Sequence, residues 1–217
     1  CLPEAKELAR HAFQQKVDAI SVMTPIFLKP RTVDDLLFFL KEIAKEAPGV
    51  PFYFYYIPSM SNYYINMSEF LEKAVNEIPT FAGAKYTHDD LLEYRSCSFK
   101  WSDKLNLLFG RDQLLLYGLM AGAKGGIGTT YNFIGPLILK MVESFQAGQL
   151  EQANLLSDKV GAFADVLLKY GLLSIGKTYM KELGVNCGDV RLPLTPEPAE
   201  KLELFLNEIT QLDLDNF

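Results

Sequence analysis

The chain has 217 residues, of which 49% are apolar and 22% charged, a composition typical of one sizeable globular domain. Its formal net charge is −6 and it carries no long basic run, which argues against binding to nucleic acid. We recognise neither a signal peptide nor an apolar stretch long enough to span a membrane, so we expect a cytoplasmic protein.

Helix and strand patterns alternate along the first half of the chain. Apolar residues spaced three and four apart indicate helices, and short apolar runs bounded by Gly, Pro or polar residues indicate strands. In chain order they predict a helix over about residues 3–13, a strand at 19–23, a helix from a Thr32 cap to about Ala47, a strand at 51–55, a helix at 68–78 and a strand around Lys85.

The second half continues the alternation and then becomes helical. The patterns predict a short helix from His88, a strand at 105–109, a helix at 112–120, a short Gly-rich strand at 125–128, a helix striped from Ile134 to Phe145, a long helix ending at Gly171 and a last helix to about Leu212. Five strands separated by helical segments predict repeated βα units and a parallel sheet. The phosphate-binding patterns GxGxxG and GxxxxGK[ST] are absent, which argues against a nucleotide-binding sheet.

Lys85 is the most informative residue, because it lies in an apolar strand of small and aromatic residues. An ammonium group directed into a packed interior is unfavourable by several kcal/mol unless the site neutralises or uses it. Amines that form imines with carbonyl substrates need such a placement. A lysine at a strand end can also extend into solvent without a chemical role, and spacing alone leaves both interpretations open.

Tyr55 ends the aromatic strand that precedes the lysine strand. Alternation places Tyr53 and Tyr55 on one face of that strand, and Phe54 and Tyr56 on the other. A phenol at this position fits an acid–base group, but it also fits a core aromatic whose hydroxyl is satisfied by the backbone. Thr87 and Asp112 equally fit helix caps.

Several segments together resemble the family of pyruvate-dependent class I aldolases that includes N-acetylneuraminate lyase and dihydrodipicolinate synthase. The resemblance runs in order from Leu2 to about Leu212. It is carried by Tyr55-Tyr56-Ile57-Pro58, by Gly83-Ala84-Lys85 with Thr87 beyond it, by Phe109-Gly110-Arg111-Asp112, by the stretch 126–132 and by Arg191-Leu192-Pro193-Leu194. These details, with Thr24–Pro30, favour the sialic acid lyase branch.

The resemblance implies a role for each site residue. The catalytic residues would be Lys85, which forms the imine, and Tyr55, which moves a proton. The substrate-binding residues would be Thr87, Gly110, Asp112, Gln113, Gly128 and Thr129. Three positions depart from the family pattern: Gln113 stands where the lyases have glutamate, Thr129 where they have serine, and Asn62 where they have glycine.

No metal or organic cofactor is implied by the resemblance. The three cysteines, Cys1, Cys97 and Cys187, are widely spaced and form no zinc pattern, which favours reduced intracellular thiols.

The fold implied by the resemblance is a TIM (β/α)₈ barrel of the aldolase type. The chain matches strands four to eight of that barrel plus the C-terminal helices, so residues 1–147 would form a partial barrel and residues 148–217 a helical extension packed on it. The first three strands, with the loop that binds the substrate carboxylate, are expected to precede Cys1.

The activity implied by the resemblance is reversible aldol cleavage of N-acetylneuraminate to pyruvate and N-acetylmannosamine through a lysine Schiff base, by a homotetramer. Two alternatives remain open. One is another pyruvate-dependent aldolase, of the dihydrodipicolinate synthase or 2-keto-3-deoxy sugar acid type. The other is a non-catalytic fragment that binds a full-length relative.

Overall fold

A computed structural model describes residues 1–214 of the chain, and residues 215–217 of the predicted helical extension lie outside the described part. Contacts group the chain into two compact units. Unit 1 comprises residues 1–111 and 117–127, and unit 2 comprises residues 112–116 and those from 128 onward. The division expected after residue 147 stays a prediction.

Unit 1 is built on a parallel four-stranded sheet in the order β1-β2-β3-β4. The strands are β1 (Ile20–Met23), β2 (Phe52–Tyr56), β3 (Phe81–Tyr86) and β4 (Asn106–Phe109). The bounds of β1, β2 and β4 lie within one residue of those predicted, and β3 contains Lys85 as predicted. The helices are α1 (Leu2–Gln14), α2 (Val33–Ala44), α3 (Pro58–Ser61), α4 (Met67–Glu77) and α5 (Leu91–Trp101). The predicted parallel βα arrangement is therefore confirmed.

The two faces of the sheet have different environments, because successive strand residues point to opposite sides. Phe52, Phe54 and Tyr56 of β2 are buried, whereas Tyr53 and Tyr55 between them are only partly buried. The buried face packs against helices through aromatic contacts. Examples are Phe54 against Phe70 of α4 (ring centroids 4.5 Å apart) and Tyr86 against Tyr94 of α5 (5.2 Å). This packing leaves the opposite face of the sheet for Tyr53, Tyr55 and Lys85.

The prediction of a strand at 125–128 is wrong. The segment forms only one parallel bridge, between Phe109 and Gly126. The backbone N–H of Phe109 donates to the Gly125 carbonyl at 3.0 Å, and that of Ile127 donates to the Phe109 carbonyl at 2.9 Å. Glycines weaken strands because they supply no side chain to pack. The segment therefore pairs with β4 for one residue only.

The helix predicted to begin at His88 begins at Leu91 instead. Asp90 is its N-cap and accepts a 2.8 Å hydrogen bond from the backbone N–H of Glu93, a capping pattern that the prediction overlooked. His88 packs beside Tyr56 and Tyr64, with ring centroids 5.9 and 5.7 Å away.

The Thr32 cap of α2 is confirmed, since its side chain accepts a hydrogen bond from the Asp35 N–H at 3.1 Å.

A 3₁₀ turn at Asp112–Leu114 and α6 (Leu115–Met120) form the helical segment predicted at 112–120. The helices that lie wholly in unit 2 are α7 (Tyr131–Gln146), α8 (Leu150–Lys169), α9 (Leu172–Glu182) and α10 (Ala199–Thr210). An aromatic cluster connects these helices, formed by Phe133, Phe163, Tyr170, Tyr179 and Phe205.

The sequence prediction missed α9 because Gly171 was interpreted only as the end of α8. Gly171 has φ +96°, a conformation that favours glycine, and the chain turns there directly into the next helix. No helix within residues 1–214 combines the length and the apolar composition needed to cross a lipid bilayer.

Candidate active site

The two side chains predicted to be catalytic come from neighbouring strands. Parallel pairing of β2 with β3 puts Tyr55 opposite Lys85. The Nζ atom of Lys85 lies 4.2 Å from the centroid of the Tyr55 ring, and both side chains are partly buried. The register of the sheet therefore brings the amine and the phenol together.

Lys85 and Tyr55 line a pocket of about 490 Å³ on the open face of the sheet. Every strand of the sheet contributes to its mostly apolar lining, which consists of Ala19, Ile20, Ser21, Tyr53, Tyr55, Lys85, Leu108 and Ile127. Lys85 is the charged residue among them, and no carboxylate in residues 1–214 comes within 4.0 Å of its amine. The amine is thus accessible from a pocket rather than enclosed in a packed interior.

Thr87 lies beside the lysine stem. It is buried, and its Oγ1 has no hydrogen-bond partner in the part of the chain that the structure describes. Its backbone N–H donates to the Tyr56 carbonyl at 2.8 Å, and the N–H of Gly110 donates to the Tyr86 carbonyl at 2.8 Å. The parallel pairing therefore continues past the strand ends and fixes the backbone there. Thr87 is not a helix cap, because Asp90 caps α5.

Gly110 permits the close approach of its backbone to the side chains of Thr87 and Lys85. A Cβ atom at Gly110 would overlap the Oγ1 of Thr87 and lie 3.1 Å from the Cε of Lys85. The structure therefore brings four of the predicted site residues together in unit 1: Lys85, Tyr55, Thr87 and Gly110.

A second group of predicted residues lies in unit 2 around Asp112. The Oδ2 atom of Asp112 accepts a 2.8 Å hydrogen bond from the backbone N–H of Thr130. A Cβ atom at Gly128 would overlap Oδ1 of Asp112, so any larger residue there would have to displace this carboxylate. Asp112 and Gly128 thus form a carboxylate site with close backbone approach, and the carboxylate can accept hydrogen bonds. Their substrate-binding roles stay predictions.

Of the other two predicted substrate-binding residues, Gln113 hydrogen-bonds to a residue of α8 and Thr129 is exposed. The side-chain amide of Gln113 donates to the Oδ1 of Asp165 on α8 at 3.0 Å. Thr129 is exposed, and its carbonyl accepts a 3.0 Å hydrogen bond from the side chain of Asn132. Their substrate-binding roles stay predictions.

Sequence reasoning missed two groups of polar side chains near these sites. Ser21 and Tyr53 line the pocket of Lys85, and strand alternation had already placed Tyr53 on that face. Thr130 and Tyr131 have buried side-chain oxygens without a hydrogen-bond partner in residues 1–214. Burial, and then the charge of Asp112, raise the pKa of the Tyr131 hydroxyl. No local pattern distinguishes such hydroxyls from ordinary residues at a helix start.

The parallel βα fold, with a lysine near the carboxyl end of its third strand, is the arrangement of the TIM-barrel aldolases. The sequence profile of the Dihydrodipicolinate synthetase family matches residues 1–212, and the chain therefore belongs to this family. The predicted α/β fold class is confirmed. In residues 1–214 no group of three or more His, Cys, Asp or Glu side chains is arranged to hold a metal ion.

N-acetylneuraminate lyases of vertebrates are among the relatives of this chain. The human enzyme is 36% identical over 219 residues, which cover 100% of this chain and 68% of the human protein. The mouse enzyme is 37% identical over 212 residues, covering 95% of this chain and 66% of the mouse protein. The chain thus spans about two thirds of the length of these relatives.

Solved structures agree with the sequence comparison. N-acetylneuraminate lyase from Proteus mirabilis is 35% identical and superposes with a TM-score of 0.93, covering 99% of this chain and 72% of that one. The sialic acid aldolase from Aliivibrio salmonicida is 34% identical with a TM-score of 0.91, covering 96% of this chain and 69% of that one.

Substitution of Gly110 tests the packing beside Lys85. We expect Gly110→Ala to lower kcat about 100-fold, because the new methyl group must displace Thr87 and crowd the lysine stem. The measurement is the steady-state rate at which the intact protein cleaves N-acetylneuraminate. Gly161→Ala is the matched control: a Cβ at Gly161 in α8 meets nothing within 4 Å, so activity should not change. Equal activity of the two variants would contradict the site as described.

Proposed function

We propose that the protein is an N-acetylneuraminate lyase, which cleaves N-acetylneuraminate reversibly to pyruvate and N-acetylmannosamine through a Schiff base at Lys85. The observation that carries the proposal is the Lys85 amine in an apolar pocket, over the ring of Tyr55 and without an ion-pair partner in residues 1–214. The identity to N-acetylneuraminate lyases over the whole chain supports the choice of reaction.

The reaction begins at the amine. Lys85 in its neutral form attacks the C2 ketone of the open-chain sugar acid, and loss of water gives a protonated imine. Breaking the C3–C4 bond sends its electron pair towards the imine nitrogen and releases N-acetylmannosamine as the aldehyde. Protonation of the resulting enamine and hydrolysis of the imine then release pyruvate and restore the amine.

Tyr55 contributes to these reaction steps in two ways. Its hydroxyl makes no hydrogen bond within residues 1–214, so it is available to relay a proton: it accepts the C4 hydroxyl proton while it passes its own to the substrate carboxylate as the C3–C4 bond breaks. The reverse relay then delivers a proton to the enamine carbon. Its ring face, 4.2 Å from Nζ, also favours a positive charge at the nitrogen and so stabilises the protonated imine.

The remaining residues orient the substrate. Thr87, whose buried hydroxyl has no partner in the described chain, would bind a polar group close to the imine. Asp112 would accept hydrogen bonds from sugar hydroxyls, with Gly128 allowing the approach. Gln113 and Thr129 would add further contacts. The proposed roles follow from the chemistry of these side chains and from the family resemblance.

The assembly and location belong to the same proposal. The family resemblance supports a homotetramer. The free thiols of Cys1, Cys97 and Cys187 support a reducing, cytoplasmic environment.

A substrate panel tests the proposed reaction. The intact protein is incubated with pyruvate and, in separate reactions, N-acetylmannosamine, aspartate semialdehyde or the aldehyde precursor of a 2-keto-3-deoxy sugar acid. We expect condensation with N-acetylmannosamine to have the highest kcat/KM. Preference for aspartate semialdehyde would assign the dihydrodipicolinate synthase reaction instead. Absence of condensation with all three would favour the non-catalytic alternative.

A further inference from the structure

Two neighbouring residues at the start of α7 in unit 2 carry buried hydroxyls that make no hydrogen bond within residues 1–214. Thr130 is 2% exposed, and it is the N-cap residue of α7. Its backbone is αR (φ −64°, ψ −23°), and its side chain caps no helical N–H. The hydroxyl of Tyr131, the next residue, is also buried, and neither oxygen has a hydrogen-bond partner in residues 1–214. Buried hydroxyls without partners lower stability, so their presence requires a physical reason.

Both hydroxyls belong to residues that surround the Asp112 carboxylate. Thr130 donates its backbone N–H to Oδ2 of Asp112 at 2.8 Å. Tyr131 and Asp112 converge on Gly128, because a Cβ atom there would overlap Oδ1 of Asp112 and lie 2.7 Å from Cε1 of the Tyr131 ring. The carboxylate thus has one oxygen held by the backbone and the other beside the tyrosine ring.

The electrostatics of this group make Tyr131 a donor. Burial raises the pKa of its hydroxyl, and the charge of Asp112 raises it further. The hydroxyl therefore keeps its proton at neutral pH. The Asp112 carboxylate, which the Tyr131 ring approaches through its Cε1 atom at Gly128, has two oxygens that can accept about four hydrogen bonds.

We propose that Tyr131 is a positioning residue for Asp112: when a sugar hydroxyl binds the carboxylate, Tyr131 donates its hydroxyl hydrogen to the same carboxylate and fixes its orientation. This inference rests on the proposed function, in which Asp112 holds a hydroxyl of the sugar. Pyruvate has no hydroxyl for Asp112 to hold, so the contribution of Tyr131 is specific to the sugar half of the reaction.

The test is Tyr131→Phe in the intact protein, measured in the condensation direction with pyruvate and N-acetylmannosamine. We expect KM for N-acetylmannosamine to rise about tenfold, as for loss of one hydrogen bond to a charged group. KM for pyruvate should not change, and kcat should stay within about threefold. The thermal unfolding midpoint should be unchanged or higher, because phenylalanine removes a buried hydroxyl that has no partner within residues 1–214.

Ser144→Ala is the matched control. Ser144 lies on the same helix α7, and its Oγ is likewise buried without a hydrogen-bond partner in the described residues. Removing it should leave both KM values unchanged. The comparison separates a hydroxyl that serves Asp112 from one that is merely buried.

The outcomes distinguish this inference from the function on which it rests. If pyruvate and borohydride leave Lys85 of the wild-type protein unmodified, the proposed function fails and this inference fails with it. A second outcome is that Lys85 is modified both in the wild type and in the Tyr131→Phe variant. If KM for N-acetylmannosamine then stays within twofold of the wild-type value in Tyr131→Phe, this inference alone is overturned. A lower unfolding midpoint with equal rises in both KM values would assign Tyr131 a structural role and would also overturn it.

Discussion

Lys85→Met should abolish cleavage of N-acetylneuraminate, with kcat lowered by a factor on the order of 10⁴ or more. Methionine fills nearly the same space in the pocket but offers no amine, so the imine cannot form. No other lysine lines the pocket in residues 1–214, and no substitute nucleophile is therefore at hand. The measurement is release of pyruvate from N-acetylneuraminate by the intact protein.

Lys104→Met is the matched control for this change. Lys104 is exposed in the same unit, next to β4, and should be replaceable without loss of activity. Circular dichroism and the unfolding midpoint should be the same for both variants and the wild type. A Lys85→Met protein that is folded and retains more than a tenth of the wild-type kcat would exclude the Schiff-base mechanism.

Tyr55→Phe should lower kcat by about 10²–10⁴, the range of a general acid–base group. The phenylalanine ring keeps the face over Nζ, so formation of the protonated imine should persist while C–C cleavage slows. Borohydride trapping with pyruvate should therefore be close to that of the wild type. This combination separates imine formation from proton transfer.

A second substitution at the same position isolates the role of the ring. Tyr55→Leu removes both the hydroxyl and the aromatic face, so trapping should fall as well as cleavage. Tyr117→Phe, at an exposed tyrosine, serves as a control with unchanged kinetics. If Tyr55→Phe cleaved its substrate at the wild-type rate, the proton would have to move through another group.

The sheet and the proximity of Lys85 to Tyr55 could be predicted from the sequence, because both depend on local patterns. Alternation in 52–56 places Tyr55 on the face opposite to the buried Phe54, and parallel pairing of consecutive βα strands places it beside Lys85. The N-cap of α2 could be predicted for the same reason, because it depends on residues close together in the chain. Thr32 and Asp35 are three residues apart and need no tertiary partner.

Other features depend on tertiary contacts and could not be predicted. Gly126 pairs with β4 for a single residue, although the Gly-rich run resembles a strand. Gln113 hydrogen-bonds to Asp165, which lies 52 residues away in the chain. The ring of Tyr131 meets Asp112 at Gly128 and its hydroxyl is buried, which no spacing in the sequence reveals. Such contacts decide which polar groups near a site have partners.

Reduction of the intact protein with borohydride in the presence of pyruvate tests the central claim most directly. Mass spectrometry of the digested protein should find one stable pyruvate adduct, on the peptide that contains Lys85, and none when pyruvate is omitted. A folded protein in which Lys85 remains unmodified, or in which the adduct lies on a different lysine, would contradict the account.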